Sequence, residues 1–438
     1  MIKGAAINVL MFGWELPPHN SGGLGTACLG LTQGLAPLGV DIDFVLPGNF
    51  SAEDADHMNV IDASLYPASK SVLRRLRLAG LSPQQVARSL GYGSEITIGA
   101  DGLPRVTYLP SGISAAPEAQ ARWYAYQAAS IAKEREFDLI HSHEWMTYYS
   151  GIAAREVAHA RGEETPLVTH VHATEIDRGG ADGGNQAIIQ IEKEGLQRAD
   201  RVVTVSHYTK KIVEKHYGVP ARKISVVHNG ISTPANQPKF DLHALKKHYK
   251  LVLFMGRITM SKGPDYFIKL AKAVTDQDAK VKFIMVGSGD MEKRCIELAA
   301  QQGLTGKVLF SPFLRGEDVN RAYQLADLFI MPSVSEPFGL VALEAMQNGT
   351  PAIVSKQSGV AEVSDNLVKI DFWDTEEMRK AVLELLYSPH KSQALTQAGL
   401  SEMKHLSWEN SAQRVQGIYQ ELLGAIKPPV LQPAFIQI

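Results

Sequence analysis

The sequence predicts an α/β protein made of two doubly wound parallel sheets that face a deep cleft. Three observations carry this prediction. The chain has 438 residues, more than one ordinary domain holds. Apolar runs of strand length alternate with helical patterns in two separate series, which is how βαβ units read. Between the series lies Asn229–Lys250, a polar stretch with Pro234 and Pro238 that serves as a linker.

The first series opens with the apolar run Ala5–Phe12, a buried strand rather than a signal peptide because it is short and Trp14-Glu15 follows it. A Gly-rich turn, Ser21-Gly22-Gly23-Leu24-Gly25, leads into a helix with Leu29, Leu31, Leu35 and Leu38 on its pattern, closed by Gly39. Strands follow at Ile42–Leu46, Leu139–Ser142, Leu167–His172, Arg201–Val205 and Ile224–His228. Residues 51–110 fit no clean βαβ unit and read as an insertion. Within it Lys70–Leu78 is basic and partly amphipathic: a solvated helix face, or a contact for an anionic membrane surface or acidic acceptor. The second series runs Leu251–Met255, Lys282–Val286, Val308–Ser311, Leu328–Met331 and Pro351–Val354. The expected division is residues 1–235, residues 236–405, and a final segment 406–438 whose Pro-containing tail is irregular. Two such sheets place the C-terminal ends of their strands at a shared cleft, where open α/β sheets bind ligands.

Composition narrows the function. A hydrophobic content of 45% and a charged content of 21% are those of a soluble globular protein. The net charge of −2 argues against general nucleic-acid binding. Two distant cysteines, Cys28 and Cys295, make no disulfide framework, so a reducing cytoplasm is the default compartment. No apolar run is long enough to span a membrane.

Two segments carry the chemistry. Gly256-Arg257-Ile258-Thr259-Met260-Ser261-Lys262-Gly263 follows a strand, as does Ser335-Glu336-Pro337-Phe338-Gly339-Leu340-Val341-Ala342-Leu343-Glu344-Ala345. Arginine offers a planar fork to two phosphate oxygens and lysine a compact charge. Ionised carboxylates accept paired hydrogen bonds from adjacent hydroxyls, as sugars and ribose present them. Such a set can hold a nucleotide-sugar. Pro337 and Gly339 break any continuous helix, so Glu336 belongs on a loop and Glu344 in a helix whose first N–H groups, at Gly339 and Leu340, are free donors. In the first series, Gly22 and Gly23 let backbone N–H groups approach phosphate at a helix start, although a Gly-rich turn can also be a packing device.

Together these segments resemble the retaining GT-B glycosyltransferases of the clan that holds glycogen and sucrose synthases, which carry a Gly-Arg-x4-Lys-Gly and a Glu-x7-Glu segment in this order. The likeness extends to the first loop, Gly13-Trp14-Glu15-Leu16-Pro17-Pro18 with Gly22-Gly23-Leu24, and to the Trp408-Glu409 helix that crosses back to the N-terminal domain. It implies a GT-B fold and transfer of a hexosyl unit with retention. Arg257 and Lys262 would neutralise the diphosphate, Glu344 would bind ribose and Glu336 would lie by the transferred sugar. Ser358-Gly359 would be a small-residue turn near the donor, or a plain tight turn. His172 would contact the donor sugar; His143, Glu144, Trp145 and Arg178 would face the acceptor. The donor suggested is UDP- or ADP-glucose and the acceptor an α-glucan; a lipid-linked or small-molecule acceptor is the alternative, and a nucleotide-sugar epimerase the rival of another class.

The remaining histidines need no role. His141 and His143 share a strand face, yet no third ligand has convincing spacing, so no metal site is expected. His170 and His172 are expected to point to different faces. Asp41-Ile42-Asp43 looks like the Asp-x-Asp of metal-dependent transferases but sits in a strand pattern. The expectation is a metal-independent enzyme with no cofactor beyond its nucleotide-sugar cosubstrate.

Overall fold

The computed structural model describes residues 6–17, 22–48, 55–66, 94–98, 104–108, 117–231, 248–403 and 405–426. Lys70–Leu78, read above as a basic helix, lies outside them, as does most of the linker.

Strands β1 (Ile7–Phe12), β2 (Val40–Leu46), β3 (Asn59–Asp62), β6 (Leu139–His143), β7 (Leu167–Val171), β8 (Arg201–Thr204) and β9 (Ile224–Val226) form one sheet, ordered β3-β2-β1-β6-β7-β8-β9. Between β3 and β6 a two-stranded antiparallel hairpin, β4 (Ser94–Ile98) with β5 (Pro104–Tyr108), stands apart from it. The second sheet, β12-β11-β10-β13-β14-β15, comprises β10 (Lys250–Met255), β11 (Val281–Val286), β12 (Val308–Ser311), β13 (Leu328–Met331), β14 (Ala352–Ser355) and β15 (Val368–Ile370). Both sheets are parallel throughout. This is the two-sheet architecture expected from the sequence. It departs from expectation in one place: part of the 51–110 region, β3, extends the first sheet beside β2.

The strands are nearly continuous apolar runs because helices cover both faces of each sheet. Leu10, Met11 and Phe12 are fully buried, as are Val252 and Leu253 at the corresponding place in the second sheet. In each sheet the strand order reverses once, between β1 and β6 and between β10 and β13. Connections leave opposite faces there and open a crevice at the strand ends.

The final helix, Trp408–Ile426, packs on the first domain. Trp408, Ala412, Val415, Ile418 and Tyr419 share a core with Leu31 and Leu35 of the helix Gly23–Leu35. A Cβ on Gly30 would lie 2.2 Å from the Trp408 indole, so the absent side chain makes room for the ring. Gln416 ties the same helix to the Leu38 carbonyl at 2.7 Å.

Candidate active site

The predicted site residues gather at the two crevices. From the second sheet, Arg257 follows β10 and Glu336 follows β13. Lys262 ends a short 3-10 turn, Met260–Lys262, and Gly263 after it has φ +65° and caps the helix Pro264–Thr275 with proline at its first position. A Cβ on Gly263 would sit 2.0 Å from the Pro332 carbonyl oxygen, so only glycine lets this turn lie against the loop after β13. That approach brings the Lys262 ammonium 2.5 Å from a Glu336 carboxylate oxygen, with the Ser333 hydroxyl donating at 3.3 Å. Glu336 is buried and pairs as an isolated parallel bridge with Ser358. Gly359 N–H donates to the Glu336 carbonyl at 2.9 Å, while the Ser358 hydroxyl turns away to the Ser355 carbonyl. Arg257 is exposed.

The helix Leu340–Gln347 begins at Gly339, φ +108°, with no side-chain cap, as the Glu-x7-Glu segment suggested. Glu344 therefore lies one turn inside the helix. The buried Tyr323 hydroxyl donates to it at 3.0 Å, and burial pushes its carboxyl above the usual range. One oxygen thus has a fixed partner.

From the first sheet, Gly22 caps the helix Gly23–Leu35 without a side-chain partner. Glu15, which the sequence reading placed only within a loop, reaches this turn. Burial raises its pKa, opposed by the charge of Arg257 from the other domain and by the Gly25 N–H. His172, half-buried just past β7, is held neutral by burial, its pKa pushed down to about 3.

Three expectations are corrected. His170 and His172 lie on one face, their rings stacked 4.4 Å apart, because residues two apart along a strand project to the same side. Trp145 is buried among Tyr148, Val171 and Ile188 rather than facing an acceptor. Glu144 also points inward. Its φ of +72° makes it the one non-glycine residue with positive φ among those described. It accepts from Arg178 at 2.5 Å and from the backbone N–H groups of His172 and Ala173 at 3.2 and 3.1 Å. Glu144 therefore fixes the loop that carries His172. Arg178 is engaged on the same side by Glu175 and Glu192. Glu192 accepts from the Glu175 N–H and from the Tyr217 hydroxyl, and burial pushes its pKa up to about 8. Asp41 and Asp43 lie within β2, between β1 and β3, and Asp43 accepts from Asn59 of β3, so the Asp-x-Asp pattern belongs to the sheet.

Contacts that no local pattern announces join the two domains. The Asp177 carboxylate, buried beside its capping partner Thr174, accepts from the Ser335 hydroxyl at 2.6 Å. The Ser206 hydroxyl donates to the Pro337 carbonyl at 2.6 Å, and Glu362 accepts from the His207 and Tyr208 N–H groups at 2.8 and 2.6 Å. All three flank the Glu336 loop. The cleft can thus hold an anion between cations and glycine N–H groups, with carboxylates beside it for hydroxyls.

Cations on one sheet and a Gly-rich helix start on the other, in two parallel α/β domains, define a transferase of GT-B type. Residues 236–401 match the family described as Glycosyl transferases group 1, and residues 21–234 that described as Glycosyltransferase Family 4. The two glycosyltransferase family matches together span residues 21–401, so the chain is a glycosyltransferase with a group 1 domain. It is 28% identical over 373 residues to an uncharacterized glycosyltransferase from Methanocaldococcus jannaschii, covering 82% of each chain. It is 29% identical to the D-inositol 3-phosphate glycosyltransferase of Salinispora arenicola, over 67% of this chain and 70% of that protein. The fold matches sucrose-phosphate synthase from Thermosynechococcus elongatus (TM-score 0.69, 20% identity, 96% of this chain and 100% of that one). It also matches the catalytic domain of starch synthase IV from Arabidopsis thaliana bound to ADP and acarbose (TM-score 0.68, 18% identity, 96% and 100%). Among the described residues no helix is long and apolar enough to cross a membrane.

Proposed function

We propose that the protein transfers a hexosyl unit from a nucleotide-sugar to a hydroxyl acceptor with retention of anomeric configuration, without a metal at the diphosphate. The observation that carries this reading is the Lys262–Glu336 pair, which joins the segments after β10 and β13, with Arg257 exposed after β10. Arg257 and Lys262 neutralise the diphosphate as the glycosidic bond lengthens, and the backbone N–H groups at Gly22, Gly23, Gly339 and Leu340 add donors. Glu344 takes the ribose hydroxyls through its second oxygen. Glu336 lies beside the sugar as positive charge grows at the anomeric carbon, and His172 approaches the sugar from the first domain. Glu336 is already bound by Lys262 and Ser333, so it acts through its charge, and a donor phosphate oxygen takes the acceptor proton on the same face that the leaving group departs. Rate then comes from positioning and electrostatics.

For the donor we favour UDP- or ADP-glucose. For the acceptor, an α-glucan chain is the first reading. A small-molecule acceptor is the second, and the identity to D-inositol 3-phosphate glycosyltransferases favours it. Proton NMR of reactions with UDP-, ADP- and GDP-sugars, each with maltooligosaccharide, inositol phosphate or no acceptor, decides among them. An α-linked product from an α-configured donor is expected. A β-linked product would overturn retention, and transfer only to inositol phosphate would replace the glucan.

A further inference from the structure

We propose that His141, His143 and His170 form a buried binding site for a zinc-class transition-metal ion, separate from the diphosphate cleft. β6 and β7 are parallel neighbours with His143 in register with His170, and His141 lies two residues before His143 on the same face. The strand pairing supplies the third ligand that spacing along the chain could not. All three rings are buried, with exposures of 0%, 0% and 2%. Nε2 of His141, Nε2 of His143 and both nitrogens of His170 have no hydrogen-bond partner. Buried polar atoms left without partners are costly, and four in one cluster call for an occupant that accepts lone pairs.

The geometry is close to what an ion needs. The three ligand atoms lie within 4.8 Å of one another. Metal–nitrogen bonds of about 2.0 Å in a tetrahedron set nitrogens roughly 3.3 Å apart. The rings stack, with centroids 4.3 to 5.4 Å apart, so ligation requires each imidazole to rotate until its free edge faces a common point.

The surroundings give a second, independent observation. His141 Nδ1 lies 2.5 Å from the Tyr419 hydroxyl, and His143 Nδ1 lies 3.0 Å from His172 Nε2. In these two rings one nitrogen is held and the other is bare, as in ligating histidines oriented by an outer partner. Burial keeps the imidazoles in the neutral, ligating form. Cys28, His143 and His172 make another candidate group. It would take His172 away from the cleft, so the histidine triad is assigned. Through Tyr419 the ion would brace the final helix against β6 and β7.

The test uses the full-length chain, stripped with dipicolinate, desalted, loaded with zinc and passed through gel filtration before elemental analysis. One zinc ion per chain should be retained, and the loaded protein should melt at a higher temperature than the stripped one. Cobalt loading should give the intense visible bands of a tetrahedral nitrogen site with no thiolate charge-transfer band. His170→Asn should weaken zinc affinity at least tenfold in competition with a chelator dye. If that variant does not fold, zinc retention and the cobalt spectrum of the unmodified protein decide. No retained zinc, unchanged affinity in folded His170→Asn, or a thiolate band from Cys28 would each overturn the assignment. None of these readouts depends on sugar transfer, so the outcome is independent of the proposed activity.

Discussion

Replacing Lys262 by alanine should separate the structural and the chemical work of one ion pair. The Lys262 ammonium lies 2.5 Å from Glu336, whose side chain is 8% exposed, whereas that of Lys262 is 21% exposed. Once the lysine is gone, the carboxylate keeps the Ser333 hydroxyl at 3.3 Å as its side-chain donor. Breaking a fully buried pair costs about 3–5 kcal/mol. Water reaches this pair along the lysine, so roughly 1–2 kcal/mol is expected. That corresponds to a fall in Tm of about 3–6 °C for a domain of this size. The chemical loss should be larger. A cation aimed at charge developing on a leaving group contributes about 100- to 1000-fold to kcat. The variant should therefore be folded at the assay temperature yet slow. The assay is nucleotide release at saturating donor, run beside thermal melting. Glu336→Gln is the companion: it keeps the shape, leaves the Lys262 charge in place and should lower kcat with a smaller change in Tm. Folded Lys262→Ala with kcat within about threefold of the parent would refute the placement of Lys262 at the leaving group.

Three further outcomes follow from the same geometry. Turnover should be equal with magnesium, with manganese and with EDTA, because Arg257, Lys262 and glycine N–H groups meet the diphosphate; a strict requirement for either ion in a steady-state assay would put that task on a metal. Glu192 has a folded pKa of about 8, above its unfolded value, so it binds an extra proton in the folded state between the two. Its contribution to stability is therefore full below the unfolded value and is lost as pH rises toward 8, and Glu192→Gln should flatten the decline of Tm over that range, whereas an unchanged slope would show that Glu192 is not the titrating group. Gly30→Val would drive side-chain atoms into the Trp408 indole and should cost about 1–3 kcal/mol in urea unfolding; a neutral result would mean that the final helix does not dock as described.

The fold was legible because its signals are local. The runs Ile7–Phe12 and Leu328–Met331 are apolar without alternation, as strands covered on both faces must be, and Pro337 with Gly339 marked where a helix could start. Arg257, Lys262, Glu336 and Glu344 were legible for a similar reason: each follows a strand at a fixed offset. What stayed hidden depends on pairing across long separations. Asp177 meets Ser335 158 residues away, and neither residue differs in type from an ordinary cap or loop polar group. Glu144 looked like an acceptor contact because its inward turn comes from a positive φ that glutamate does not advertise. Glu15 was hidden because its partner Arg257 belongs to the other domain. The two pairs of histidines were visible as pairs, but their stacking into one column needed the register of β6 against β7.

The docking of Trp408–Ile426 on the first domain has a consequence for how the chain is made. Synthesis delivers β1 through β9 long before Trp408, Val415 and Tyr419 exist, although those side chains belong to the same core as Met11 and Leu35. A nascent first domain therefore carries an unfilled apolar groove along Gly30 and Gly34 until residues 408–426 have been made. The second domain, by contrast, has its own core from Val252 to Leu386 and can close as soon as it emerges. Domains generally fold as units from the N-terminus onward, and here that order is reversed for the last step. A stop codon before residue 408 removes a helix that comes after the second domain in the chain, yet it is the first domain that loses its seal. Fragments ending at the linker are accordingly poor candidates for expression alone, whereas a circular permutant that places the final helix ahead of β1 would give the first domain everything it needs in one stretch.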